Sequence, residues 1–366
     1  MKLPKNNQQK RFILAAGGTG GHVFPALALY AQMKQAGHEV LFCTDTRGKT
    51  YLSHLPADMV KIIPSGGLVT GSPLAKVRGL LRLAKGYLAS RRVISKFKPQ
   101  AVVGFGGYPS APPLIAAQHK GVCTVLHEQN SVMGKANRLI AKDASAVATS
   151  FETTIGAPEK SIHTGNPVRS DIEAVGAAEF VAPTSKDKIR VLVIGGSLGA
   201  AFLSKTIPAA LSALPAETRA RLLVKQQARG EDLKHVEEAY PKAGIDAEVL
   251  PFIDDVAGSL AECHLVICRA GATSVAEIAA AGRPAIFVPL DIHADRHQVI
   301  NAESLANQGA AWVQPQSETS PEILTKLIAG LIENPNTLQE VANKAKSLAK
   351  TESAKALHDL TLSISD

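Results

Sequence analysis

The residues best able to do chemistry cluster where apolar runs end. Residues 12–16, Phe-Ile-Leu-Ala-Ala, lead directly into Gly17-Gly-Thr-Gly-Gly-His22. Glycines let backbone amides approach a ligand closely, and the start of the helix that follows favours negative charge. His22 closes the loop with an imidazole that titrates near neutral pH, the property a general base needs. A histidine at a helix start also has a purely structural use. The dinucleotide fingerprint fails here, because Val23 stands where its third glycine belongs, and no Lys-Ser/Thr pair follows to make a Walker loop.

A second cluster is Arg269-Ala-Gly-Ala-Thr-Ser-Val-Ala-Glu277, directly after the apolar residues 265–268. Gly271 frees the backbone, and the amides of Ala272, Thr273 and Ser274 open a helix that could hold a pyrophosphate. Glu277 could accept hydrogen bonds from a ribose diol. The rival reading is a capping box, Ser274-x-x-Glu277, which needs no ligand. Further on, Gly282-Arg-Pro-Ala-Ile-Phe-Val-Pro289 gives another strand, and Asp291-Ile-His-Ala-Asp-Arg-His-Gln298 a polar loop at its carboxyl end. Two more loops end strands of the first half. Gly104-Phe-Gly-Gly-Tyr-Pro-Ser110, with Gly106, Gly107 and Tyr108, is a second glycine-lined wall. His127-Glu-Gln-Asn130 sets four polar side chains in a row suited to hydroxyl recognition. Glu128 is there either a second candidate base or the partner of a nearby cation.

These loops need a scaffold that brings strand ends together. Residues 12–16, 40–43, 101–104 and 122–126 read as buried strands separated by helical stretches such as 24–35. The pattern restarts at Arg190-Val-Leu-Val-Ile194, again followed by glycines, and continues through apolar residues 221–224, 265–268 and 284–289. Strand, glycine turn, helix, strand is the signature of a parallel sheet with crossover helices. The chain therefore reads as α/β, with two Rossmann-like domains of parallel sheet facing each other across a cleft. Residues 167–188, polar and Pro-containing, read as the linker. The expected domains are 1–167 and 168–345, with a helical tail at 346–366 joining the first.

Length and composition agree. At 366 residues the chain is comfortable for two cores, and 45% hydrophobic with 20% charged residues is a globular profile. Aromatics at 4% supply no stacking platform for nucleic acid. Cys43, Cys123, Cys263 and Cys268 show no zinc-like or redox spacing and read as buried thiols. No signal segment and no run of about 20 apolar residues is present, which predicts a cytoplasmic protein. The net charge of +8 is local. Lys76, Arg78, Arg82, Lys85, Arg91, Arg92, Lys96 and Lys98 lie together without an acidic residue. Such a patch points to a local anionic partner and away from a general nucleic-acid binder. Leu74, Val77, Leu81, Ala84 and Leu88 recur there at helical spacing, widened by Leu80 and Leu83. This predicts a cationic amphipathic helix for anionic lipid headgroups, or an ordinary surface helix with its stripe turned to the core.

The ordered set of motifs resembles the MurG family of bacterial UDP-N-acetylglucosamine transferases. It comprises Gly17 to Pro25, Gly104 to Ser110, His127 to Asn130, Gly165-Asn-Pro-Val-Arg169, Gly195-Gly-Ser197, Phe252-Ile-Asp-Asp255 and Gly271 to Glu277. The resemblance spans nearly the whole chain. It implies the GT-B fold and an inverting transfer of N-acetylglucosamine without metal or other cofactor. The acceptor it implies is the muramyl C4 hydroxyl of undecaprenyl-pyrophosphoryl-MurNAc-pentapeptide (lipid I), giving lipid II on the cytoplasmic face of the plasma membrane. It also implies UDP-N-acetylglucosamine contacts at Thr19, Gly20, Gly21, Asn130, Arg169, Ser197, Ile253, Ala272, Thr273, Ser274, Glu277 and Gln298, with His22 as base. The chain departs from the family at Leu198, where Gln is common, and at Lys225-Gln-Gln-Ala228, where a His-Gln-Ser/Thr-Gly stretch is frequent.

Overall fold

The computed structural model describes residues 9–66, 73–196, 201–291 and 296–365, with side chains given throughout except at 73–76. The chain forms two compact units, Met1–Arg169 with Glu352–Asp366, and Ser170–Thr351.

The first unit runs β1 (Arg11–Ala15), α1 (Gly20–Gln35), β2 (Glu39–Thr44), α2 (Thr46–Tyr51), β3 (Val60–Ile62), α3 (Pro73–Phe97), β4 (Ala101–Gly104), α4 (Ala111–Gln118), β5 (Cys123–Glu128), α5 (Lys135–Ile140), β6 (Ala146–Thr149) and β7 (Ile162–His163). Its sheet has the order β3-β2-β1-β4-β5-β6-β7, and every pairing is parallel. β1 is buried on both faces, which is why it reads as an unbroken apolar run. Phe12 and Leu14 pack with α1 residues on one side, Ile13 and Ala15 with Ile94 and Leu114 on the other. Each such large side chain contributes about 1.5–3 kcal/mol by leaving water.

The second unit continues with α6 (Ser170–Ala177), β8 (Ile189–Ile194), α7 (Ala201–Ser212), α8 (Ala216–Arg219), β9 (Leu222–Gln227), α9 (Asp232–Lys242), β10 (Asp246–Leu250), α10 (Val256–Glu262), β11 (Leu265–Cys268), α11 (Ala272–Ala281), β12 (Ala285–Phe287), α12 (His297–Ala306), β13 (Trp312–Val313), α13 (Pro321–Glu333) and α14 (Pro335–Leu348). Its sheet order is β10-β9-β8-β11-β12-β13, also parallel. In both sheets the order reverses beside the first strand, so β1/β4 and β8/β11 are the switch points where such sheets bind ligands.

Three expectations change. The supposed linker contains α6, which packs on α11 so closely that a Cβ at Gly176 would lie 1.9 Å from the Ala280 carbonyl oxygen. The tail expected at 346–366 starts slightly later: α14, ending at Leu348, packs on α11 in the second unit, and α15 (Ser353–Ser363) packs on α1 in the first. Finally α1 starts at Gly20, not at 24, because the glycines read as loop are its first turn. A Cβ at Gly20 would meet the Phe24 ring at 2.7 Å, so a larger residue there would have to displace that ring.

Candidate active site

At the β1/β4 switch point the turn runs from Ala16 to Thr19, with Gly17 and Gly18 at its centre. Gly18 adopts φ +82°, a conformation that costs glycine little. A residue the sequence reading missed holds this turn. Asp45, at the end of β2, accepts from the Gly18 amide at 2.9 Å and from the Gly48 amide at 2.8 Å. It caps α2 and anchors the glycine turn together, and its signal was an Asp standing just after a strand. His22 is the third residue of α1 and half-buried. Gly106 and Gly107, at φ +77° and +71°, lie against its ring. A Cβ at Gly107 would sit 3.2 Å from Cδ2 and 3.4 Å from Nε2 of His22. The two glycines of the second wall therefore keep the imidazole accessible. Tyr108 beside them is 48% exposed.

The end of β5 differs from its expected form. The strand continues to Glu128, and His127, Glu128 and Gln129 are all buried, so the stretch is no open row of hydroxyl readers. Strand alternation divides its side chains between two faces. On one face His127 Nε2 meets the Gly165 carbonyl at 3.0 Å, its Nδ1 meets Gln129 Nε2 at 3.3 Å, and Gln129 Oε1 meets His22 Nδ1 at 3.2 Å. On the other face Glu128 is saturated. Its Oε1 accepts from the Asn130 amide and Nδ2, and its Oε2 from the Gly134 amide and, at 2.7 Å, from Asn137 Nδ2. A carboxylate engaged in this way organises the loop to α5 and orients Asn130.

Burial in the chain lowers the His22 pKa below its ordinary 6.5, against weaker upward pulls from Gln129, the Glu128 charge and the Phe105 carbonyl. Burial also lowers His127, to about 4. Both rings are thus neutral at pH 7, which is the state a base must start from. Thr19 is the N-cap of α1, with Gly20 and Gly21 its first two residues, so all three stand within one turn of His22. Arg169 closes the first unit with its guanidinium 5.2 Å from the centre of the Phe24 ring, one turn along α1.

In the second unit, Gly195 and Gly196 end β8, and Ser197 lies outside the described residues, as do Leu198 and the loop 292–295. Across the β8/β11 switch point, α11 begins at Ala272 with Gly271 as its N-cap. Ser274 and Glu277 are the third and sixth helical residues, so they form no capping box. The amides of Ala272, Thr273 and Ser274 precede the first intrahelical bond, from the Val275 amide to the Gly271 carbonyl. Amides in these positions have no acceptor within their own helix. Arg269 just before them is held by the Val288 carbonyl and by Gln316 Oε1. Ile253 is buried in the loop before α10, whose N-cap is Asp255. Gln298 spends its Oε1 on the Leu290 amide at 3.0 Å, an anchoring role for the loop after β12. Lys225, one of the departures, pairs with Glu248 at 3.0 Å.

The basic segment is the long helix α3. Its buried positions are Gly79, Gly86, Ser90 and Ile94, and a Cβ at Gly86 would lie 2.1 Å from the Pro64 carbonyl oxygen. The leucine stripe is consequently turned outward: Val77, Leu80, Leu81 and Leu88 are 53–63% exposed. Arg78, Arg82 and Lys85 are exposed among them, while the side chain of Lys76 lies outside the described set. For Val77, Leu80, Leu81 and Leu88 the core-facing alternative is thereby excluded. No described helix is long and apolar enough to cross a membrane.

Residues 12–149 match the glycosyltransferase family 28 N-terminal domain, and residues 190–359 match the C-terminal domain of the same family. The chain belongs to glycosyltransferase family 28. Two curated relatives, from Mesorhizobium japonicum and Rhizobium etli, are each 43% identical over 354 residues. The alignments cover 96% of this chain and 94% and 95% of theirs. Both are named UDP-N-acetylglucosamine--N-acetylmuramyl-(pentapeptide) pyrophosphoryl-undecaprenol N-acetylglucosamine transferase. The crystal structure of Acinetobacter baumannii MurG superposes with a TM-score of 0.75 at 34% identity, covering 97% of this chain and 99% of that one. The MurG membership and GT-B fold expected from the motifs are both established by these matches.

Proposed function

We propose that this family 28 enzyme transfers N-acetylglucosamine from UDP-N-acetylglucosamine to the C4 hydroxyl of MurNAc in lipid I, forming lipid II with inversion. The observation that carries the reading is the unequal equipment of the two switch points. The first holds a neutral, half-buried imidazole flanked by glycines. The second holds a helix start with no side-chain cap. A base and an anion cradle are the two parts that an inverting transfer from a nucleoside diphosphate requires.

The first unit then takes the acceptor and the second the donor. His22 removes the proton of the C4 hydroxyl as that oxygen attacks the anomeric carbon. The carbon–oxygen bond to the β-phosphate breaks, and UDP leaves with the electron pair. Charge gathering on the pyrophosphate falls to the α11 amides of Ala272, Thr273 and Ser274, with Arg169 and Ser197 as further donors. Glu277 holds the ribose and Ile253 offers its backbone to the uracil. Asn130, fixed by Glu128, reads a sugar hydroxyl alongside Thr19, Gly20 and Gly21, and Gln298 shapes the loop after β12. Gly106, Gly107 and Tyr108 face the acceptor.

The outward face of α3 is assigned to the cytoplasmic leaflet, where exposed leucines insert while Lys76, Arg78, Arg82 and Lys85 meet anionic headgroups; each cation near such a surface is worth about 1 kcal/mol. The enzyme is accordingly peripheral. Two assays test the reading. Labelled UDP-N-acetylglucosamine with lipid I should yield a disaccharide-lipid that unlabelled UDP-galactose fails to suppress. Vesicle binding should weaken as anionic lipid content is lowered and on removal of the four α3 charges. Label that stays on the nucleotide, or binding indifferent to charge, would overturn the respective half.

A further inference from the structure

The chain of hydrogen bonds behind His22 has a direction that elementary valence fixes. It begins at the Gly165 carbonyl, which has no hydrogen to give. His127 Nε2, 3.0 Å away, must therefore be the donor. A neutral imidazole carries one N–H, so His127 Nδ1 is left with a lone pair. The Gln129 amide fills it, donating from Nε2 at 3.3 Å. That fixes which end of Gln129 faces the helix: Oε1, an acceptor, 3.2 Å from His22 Nδ1. His22 must then carry its hydrogen on Nδ1. The Phe105 carbonyl also draws on this ring. Among the described residues, however, the ring's one hydrogen bond of good length and angle is the one to Gln129.

We propose that Gln129 is a positioning residue, and that Gly165, His127 and Gln129 form a one-way relay. The relay holds His22 as its Nδ1–H tautomer and leaves Nε2 bare to take the acceptor's proton. This rests on the reading of His22 as base. The other tautomer would present N–H to the incoming hydroxyl and could not accept from it. Nε2 is also the nitrogen beside Gly107, where the missing Cβ leaves room for an approaching hydroxyl. Reversing the relay requires a second proton on His127, whose ring is fully buried with the Phe105 ring 5.6 Å away. Sequence spacing supports the same division of labour. His127 and Gln129 share one face of the extended chain, and Glu128, between them, turns to Asn137.

The test uses the full-length chain labelled with nitrogen-15 at histidine, with the His22 signals assigned by their loss in His22→Gln. Wild type should show His22 protonated at Nδ1 and bare at Nε2. In Gln129→Met, similar in size but unable to accept this bond, the His22 signals should shift toward the Nε2–H form. In the same variant kcat should fall about ten- to hundred-fold, part of what general base catalysis supplies. KM for the donor should stay within about two-fold, since ground-state binding is untouched. His127→Leu should do the same, and His127→Asn, whose Oδ1 stands near the lost acceptor, should recover at least about ten-fold over His127→Leu. A wild-type His22 protonated at Nε2 overturns the relay without any variant being made. So does a Gln129→Met enzyme with unchanged signals and kcat, or no recovery in His127→Asn. Absence of sugar transfer by wild type would overturn the functional reading while leaving the tautomer result standing, so the two fail separately.

Discussion

Replacing Glu128 by Gln separates the scaffold from the base. The two carboxylate oxygens accept four hydrogen bonds in a site only 2% exposed. An amide keeps one acceptor and turns the other position into an NH2 that faces further N–H groups. Placed at Oε1 it orphans the Asn130 amide, and placed at Oε2 it confronts Gly134 and Asn137. One or two charge-assisted bonds are lost either way, at about 1.5–3 kcal/mol each, so the variant should lose about 2–4 kcal/mol of stability. Rotation of the Asn137 amide offsets part of this only by giving up its present bond. Denaturant unfolding should show the loss, and the same variant should raise KM for the donor because Asn130 is no longer fixed. The pH profile of kcat should keep the acid limb set by His22. An E128Q enzyme within about 0.5 kcal/mol of wild type but some hundred-fold slower, with its acid limb gone, would refute this reasoning and make Glu128 the base.

Three further outcomes follow from the geometry. Ser274→Ala should cost under about 0.5 kcal/mol of stability, because Gly271 and not Ser274 caps α11, and UDP binding should be kept because the variant retains the main-chain amide; a loss of about 1 kcal/mol or more would restore the capping-box reading. Gly107→Ala should cut kcat well beyond its effect on stability, since the new Cβ meets the His22 ring at 3.2 Å from a backbone at φ +71°; equal turnover would mean the ring is not where the chemistry occurs. Acid should destabilise the first unit through His127. Its folded pKa of about 4 lies below the unfolded 6.5, so the unfolded chain binds the proton first. That contribution is complete above pH 6.5 and is lost as pH falls toward 4, by up to about 3 kcal/mol. His127→Asn should flatten this slope in pH-dependent unfolding, and an unchanged slope would refute the attribution.

The fold was legible because its strands are buried on both faces, and β1, β4, β5, β8 and β11 all stand out as short apolar runs ending in glycine or polar loops. The boundaries of α1 were not, since Gly20 and Gly21 look like loop residues, and the Phe24 ring that packs over Gly20 becomes its neighbour only once the helix has formed. Likewise Pro167 and the polar residues after it read as a linker, and only the contact of Gly176 with Ala280 reveals that α6 belongs to a helix layer. The pairing of His22 with the glycine walls was readable from motifs. The separation of His127 and Gln129 from Glu128 was not, because four consecutive polar residues give no hint of how far the strand extends. Asp45 was missed because its partners, Gly18 and Gly48, become neighbours only when β1 and β2 pair.

The central claim is that His22 takes the proton in transfer of N-acetylglucosamine to a lipid-linked muramyl sugar. Turnover of lipid I with labelled UDP-N-acetylglucosamine by wild type and His22→Ala tests it most directly, with UDP affinity measured on both. The expected result is label in the lipid product for wild type, a kcat lower by about 10²–10⁴ in the variant, and unchanged UDP affinity. Wild-type turnover retained by His22→Ala would contradict it.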